Sequence, residues 1–192
     1  MTTNAIEYIN FDKLEKDTAY SDDFYTYILK KHQNRIIIHV LSRKPTIIKA
    51  RPIIIQFPDT IDYAIDFTDC FLNHRVLRDI SALSSIYSSK IISTEKMFFN
   101  CWNLVDISPL STWNVSDIYD MEGMFFLCKK LRDLLPLSMW KVSDECTMRG
   151  FYAPFGNRMG EYRLGPVIDL IKINPSTVIL PDWLKQINNR FV

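Results

Sequence analysis

The chain has 192 residues, 47% of them hydrophobic and 23% charged, with a formal net charge of +1. That size allows one domain with a core, or a short stack of repeats between two caps. The apolar content excludes a disordered chain, the balanced charge excludes a global attraction to nucleic acid or membrane, and no apolar run approaches the ~20 residues of a membrane span.

Residues 1 to 33 read as helical. Ile6, Ile9, Phe11 and Leu14 give a loose apolar face. Asp22 and Asp23 then open a second helix, Asp23–His32, with Phe24, Tyr27, Ile28 and Leu29 on its apolar side. Arg35 to Leu41 is rich in β-branched residues and reads as a strand. After a turn at Ser42 to Pro45, Thr46–Arg51 and Ile53–Phe57 read as one strand interrupted by Pro52, or as two short ones. Residues 1–66 are expected to be an α+β cap over the first apolar coil of the central region.

The central region is a repeat. Met97 to Gly123 (MFFNCWNLVDISPLSTWNVSDIYDMEG) and Met124 to Gly150 (MFFLCKKLRDLLPLSMWKVSDECTMRG) align without a gap, with 15 of 27 positions identical. A weaker copy spans Cys70 to Lys96, where Phe71, Asn73, Leu77, Asp79, Ile80 and Leu83 keep step and Ile86 replaces the tryptophan. FYAPF at Phe151 begins a fourth register that is then lost. Self-similarity at this period marks a repeat protein. In Asp117 to Leu131, the residues Met121, Met124, Phe125, Cys128 and Leu131 fall at i, i+3, i+4, i+7 and i+10, which predicts an amphipathic helix. Pro136 ends it, and Leu131 to Leu137 reads as a short extended segment. The expected fold class is therefore an α/β repeat: a short leucine-rich-repeat-like solenoid of about three 27-residue helix–strand units, 70–96, 97–123 and 124–150, within 67–155. Residues 156–192 are read as the C-terminal cap. There Pro166 to Ile173 is a strand or short helix and Val178 to Leu180 suits a strand. Pro181 and Asp182 open a last helix, Asp182–Asn189, that buries Trp183, Leu184 and Ile187.

The motif PLSxWxVSDxxxMxGMFxxC resembles the BspA-type leucine-rich repeat, also called the mycoplasma-type surface lipoprotein repeat. The likeness is strong in Met97 to Gly150 and degraded in Cys70 to Lys96, where Ile86, Thr94 and Lys96 hold the Trp, Met and Gly positions. The resemblance implies a right-handed solenoid that recognises proteins or surfaces, with no enzymatic activity. The family occurs on bacterial surfaces, in protists and in large DNA viruses, and the abundance of Ile, Lys and Asn suits an AT-rich genome of such a source. The N-terminal stretch MTTNAIEYINFDKLEKDTAYSDDF has no basic n-region and no apolar h-region. The expectation is a chain that works in the cytoplasm or is packaged in a virus particle.

No nucleophile elbow, phosphate-binding loop, zinc motif or dinucleotide fingerprint is present, so no enzyme, cofactor or metal is expected. Cys70 and His74 are four apart, but a lone pair of this kind is more often packing than a metal site. Cys101 and Cys128 read as buried free thiols, held too far apart for a disulfide by units stacked roughly 10 Å apart. Asp79, Asp106 and Asp133 recur in step and could form a calcium ladder. The alternative, favoured by their identical settings, is that each accepts backbone N–H bonds in its own turn. Trp113 and Trp140 are read as core.

In a repeat protein, recognition belongs at positions that vary while the framework holds. Three columns do so: Arg75, Trp102, Lys129; Arg78, Val105, Arg132; and Tyr87, Asn114, Lys141. Trp and Arg are enriched at binding hot spots, so these columns are the expected surface for a protein partner, or for incorporation into a larger assembly such as a virus particle. A separate candidate is basic. Phe24 to Pro58 holds Lys30, Lys31, Arg35, Arg43, Lys44, Lys49 and Arg51 with no acid. It could bind nucleic acid or another anion. The alternative, cations that keep a hairpin's edges apart from other chains, is favoured because no aromatic residues are interleaved.

Overall fold

The computed structural model describes residues 18–33, 35–53, 62–155, 167–168 and 175–190. Its frame is a five-stranded mixed sheet in sequence order: β1 (Thr18–Ser21), β2 (Tyr25–His32), β3 (Arg35–Ser42), β4 (Asp62–Asp66) and β5 (Ile91–Ser93). β1, β2 and β3 pair antiparallel, and β3, β4 and β5 pair parallel.

The helix expected over Asp23–His32 is strand β2. Its alternation decides this, because Tyr25, Tyr27 and Leu29 are buried in turn and aromatic and β-branched side chains suit a half-buried pleated surface. Asp22 takes the capping role anticipated for a helix but uses it on a turn: its Oδ1 accepts the N–H groups of Phe24 and Tyr25, each at 2.6 Å. The expected helical face Ile6 to Leu14 lies outside the described residues. β3 matches the expected strand, in register with β2 from Tyr25 opposite Ser42 to His32 opposite Arg35. The strand expected over Thr46–Arg51 is absent. That segment turns and makes a single parallel bridge, Lys49 to Asp79, while Tyr25 pins it by accepting the Arg51 N–H and donating to the Arg51 carbonyl. Residues 54–57 lie outside the described residues.

The repeats do not form the expected helix–strand solenoid. Among the described residues the only α-helix is α1 (Asp182–Arg190), and the repeats are built of tight turns, short 3-10 turns and isolated bridges. The five residues predicted to line a helix, Met121, Met124, Phe125, Cys128 and Leu131, are all buried, as is Phe126. Their backbone is nevertheless not helical, for two reasons. Gly123 and Leu127 have φ of 63° and 59°, and a right-handed helix accepts no such residue. The N–H groups also leave the segment: Phe125 donates to the Phe151 carbonyl and Leu127 to that of Ala153. Between them, Met124 closes on Met121, Phe126 on Gly123 and Cys128 on Phe125, three residues back instead of four. The extended segment expected after Leu131 is likewise a bridge at Asp133 and a 3-10 turn, Leu135–Leu137.

The same pattern recurs in each unit. Left-handed residues stand at Asp69, Lys96, Gly123 and Gly150, and four positions on at Asn73, Asn100 and Leu127. Phe71 donates to Met97 and Asn73 to Phe99, then Phe98 to Met124 and Asn100 to Phe126. Neighbouring units therefore lie one backbone spacing apart. Phe71, Phe98 and Phe125 stack at 5.6 and 5.7 Å, and Phe125 meets Phe151 at 5.3 Å. Each pair contributes about 1 kcal/mol beyond the area it buries. This is closer than the roughly 10 Å of packed helices. Cys101 and Cys128 are buried free thiols as expected, each donating to a carbonyl of the preceding unit, Phe71 and Phe98. Trp113 and Trp140 are core, their indoles donating to the Leu83 and Leu110 carbonyls.

The sheet does not stop at β5. Parallel bridges carry its line on from Ser93 to Asp120 to Thr147, and one apolar core runs unbroken from Tyr25 through the repeats to Leu184. At the far end the segment expected as a strand, Val178 to Leu180, makes one parallel bridge, Ile179 to Asp133. α1 matches the expected final helix, with Leu184 fully buried and Trp183 and Ile187 packed against the core.

Candidate interaction surface

Trp102 is held in place before it is presented. Asn100, in the left-handed region and 5% exposed, donates from Nδ2 to Asn73 Oδ1 at 2.6 Å and accepts the Trp102 indole N–H on its own Oδ1. The ring is half-buried, and both of its faces are taken. The Arg75 guanidinium lies 4.3 Å from the ring centroid and the Lys129 ammonium 3.7 Å. Arg75 and Lys129 of this predicted column thus both contact Trp102, and the tryptophan orients two cations instead of projecting alone.

The second column runs beside it. Arg78 is exposed, Val105 is 54% exposed, and Arg132 lies over the Phe155 ring at 5.7 Å while donating to the Leu131 carbonyl. Both columns therefore read cation, apolar, cation along the stack. The third column, Tyr87, Asn114 and Lys141, is exposed and lacks that order.

The basic segment splits in two. Lys30, Lys31 and Arg35 sit at one end of the β2–β3 hairpin, where Arg35 pairs with Asp62 at 2.7 Å. Arg43, Lys44, Lys49 and Arg51 sit at the other, where Lys44 and Arg51 lie over Phe24 at 4.9 and 5.1 Å. An aromatic residue is therefore interleaved with these cations in space, although none is interleaved in the sequence. The second group also joins the repeat columns. Arg78 donates its N–H to the Ile48 carbonyl, Lys49 bridges Asp79 and pairs with it at 2.9 Å, and His74 Nε2 meets Ser42 Oγ at 2.9 Å. No repeat signal announces this, because residues 48–51 stand 27 before 75–78 but only Arg51 and Arg78 are identical across the four positions.

Asp79, Asp106 and Asp133 each accept the backbone N–H two residues on, from Ser81, Ser108 and Leu135, at 2.8–2.9 Å, which is the expected turn role. Lys49, first, and the Ser81 bonds hold the Asp79 carboxyl down to about 2. Cys70 is buried, and both ring nitrogens of His74 are engaged, Nδ1 with the Leu72 carbonyl. Four other acids, Asp69, Glu95, Asp120 and Glu122, gather along the bridged line. Burial raises the Asp69 and Asp120 carboxyls there, near Glu95 and Glu122, with Lys96 paired to Glu95 and Arg149 to Glu122.

The family model described as "Mycoplasma protein of unknown function, DUF285" matches residues 66–167, which is 102 of the 192 residues and just over half of the chain. The chain belongs to the DUF285 family. The matched span begins at the end of β4 and takes in all three repeats and both cation columns. No curated protein and no solved structure matches the chain. Among the described residues, no helix of this DUF285 protein is long and apolar enough to cross a membrane.

Proposed function

We propose that this DUF285 protein is a non-enzymatic protein–protein interaction module whose repeats are of the BspA type, and that it binds its partner through the Trp102 face. The observation that carries the reading is the contact of Arg75, Trp102 and Lys129 across three successive units, on a face where neither these cations nor Arg78 and Arg132 have an acid partner among the described residues. Most buried positions keep step from unit to unit, while the residues of the two columns are exposed or half-buried and chemically suited to contact. In this proposal strands β1 to β4 and the helix α1 close the two ends of the stack, and the basic hairpin end contributes to the same face.

Affinity capture from the native source tests it, comparing the tagged wild-type chain with an Arg75→Ala, Lys129→Ala, Arg132→Ala variant of unchanged circular dichroism. Loss of one stoichiometric protein partner supports the reading. An unchanged partner set places binding elsewhere, and an eluate made of particle proteins replaces the module by a component of a larger assembly.

A further inference from the structure

The stacking period of the repeats is close to the pitch of an α-helix. Backbone hydrogen bonds join neighbouring units about 4.8 Å apart, the Phe71, Phe98 and Phe125 ring centroids are offset to 5.6 and 5.7 Å, and one turn of helix rises about 5.4 Å. A helix laid along the stack therefore meets one unit per turn. Its side chains at i, i+3 or i+4, and i+7 face three successive units. The three units opposite offer a fixed order twice over: Arg78, Val105, Arg132 in one column, and Arg75, Trp102, Lys129 in the other.

We propose that this face takes an acidic amphipathic helix of a partner protein, with a carboxylate at i, an apolar side chain at i+3 or i+4 and a carboxylate at i+7. The inference rests on the Trp102 binding face and names its ligand. Charge complementarity selects the acidic occupant, because the cations at both ends of each column have no acid partner among the described residues. The exposed Val105 between Arg78 and Arg132 selects the apolar central residue.

A nucleic acid fits less well for two reasons. Arg75 and Lys129 already cover both faces of Trp102, so no base can stack on it without displacing them. Asp79, Asp106 and Asp133 come directly after Arg78, Val105 and Arg132, and this row of carboxylates repels a continuous polyphosphate. A partner helix carries isolated acids and can leave the aspartate row facing water.

The test uses the full chain and a fluorescent helical peptide about 20 residues long, with Glu at i and i+7 and Leu at i+3. Its control is a scrambled peptide of identical composition and equal helicity. The in-register peptide is expected to bind at least about tenfold more tightly than the scramble. An Arg78→Glu, Arg132→Glu variant is expected to lose that preference. Because Arg132 is half-buried, an Arg75→Gln, Lys129→Gln variant with unchanged thermal unfolding serves as the second reading and is expected to weaken binding too. Equal binding of the two peptides overturns the proposal, since charge alone would then suffice. Tighter binding of a thymidine oligonucleotide or of phosphatidylserine vesicles overturns it as well. If the native partner is lost from the charge-reversed variant while the in-register peptide shows no preference, the binding face stands and the helical ligand falls.

Discussion

The indole N–H of Trp183 donates to the Leu137 carbonyl at 2.8 Å, as that of Trp140 does to Leu110 and that of Trp113 to Leu83. Trp113 and Trp140 belong to repeats, but Trp183 comes from α1. A fourth repeat would put Val167 at that position. The C-terminal helix therefore closes the stack by supplying, from outside the repeat, the bond that the next unit would have made. Trp183→Phe keeps the ring and leaves the Leu137 carbonyl without its donor, and should cost about 1 kcal/mol. Trp183→Ala should cost about 3 kcal/mol by opening the end of the core. Urea unfolding midpoints measure both, and a Trp183→Phe midpoint equal to wild type would refute the closing role of the bond.

Thr94 stands in the column of Met121 and Met148, fully buried, and its hydroxyl oxygen has no partner. An unpaired buried hydroxyl costs about 1 kcal/mol or more. Thr94→Val keeps the shape and removes that cost, so the variant should be more stable by about 1 kcal/mol. A lower melting temperature than wild type would show that the hydroxyl is satisfied in solution.

Gly123 is buried with φ of 63°. A Cβ there meets the following carbonyl and the packed interior. Gly123→Ala should destabilise the chain by about 1–2 kcal/mol. The matching position Lys96 has φ of 51° and already bears that strain, so Lys96→Gly should recover part of it. Chemical denaturation of the two variants should move in opposite directions.

Two aspartates should give opposite pH signatures. Burial raises the Asp69 carboxyl, and its Oδ1 is unpartnered. Its folded pKa exceeds the unfolded one, so the native state holds the proton longer and stability falls as pH rises from about 4. Asp69→Asn should therefore be more stable than wild type near neutrality, with the gain disappearing as pH falls to about 4. Asp79, held down to about 2, contributes stability above the unfolded pKa of about 4 that is lost as pH falls from there toward 2. Asp79→Asn should be the less stable chain near neutrality and match wild type at the acid end. Melting temperatures against pH for the two variants decide this, and curves that parallel wild type would show that neither carboxyl contributes.

Composition and spacing by themselves determined most of the buried apolar positions of the repeats. The 27-residue register, the tryptophan and cysteine columns, strand β3, the final helix and the turn role of Asp79, Asp106 and Asp133 follow from local pattern, because burial and short-range hydrogen bonds leave a period in the chain. The conformation of the repeat did not follow. Apolar residues at i, i+3, i+4 and i+7 suit a helix, yet they equally suit a run of turns whose N–H groups pair with a neighbouring unit, and only the neighbour decides between them. The left-handed residues carried a faint mark of that outcome. Gly123, Gly150, Asn73 and Asn100 tolerate positive φ, and Pro154, which cannot adopt it, stands where Leu127 would recur and the register ends. Strand β2 was misread because its apolar residues fit both periods until β1 and β3 flank it. The joining of Lys44, Lys49 and Arg51 to the Arg75 and Arg78 face belongs to the tertiary structure alone, since its contacts, Ile48 with Arg78 and Lys49 with Asp79, join segments in which the repeat pattern is not legible. So does the covering of both faces of Trp102, which makes the tryptophan a holder of cations.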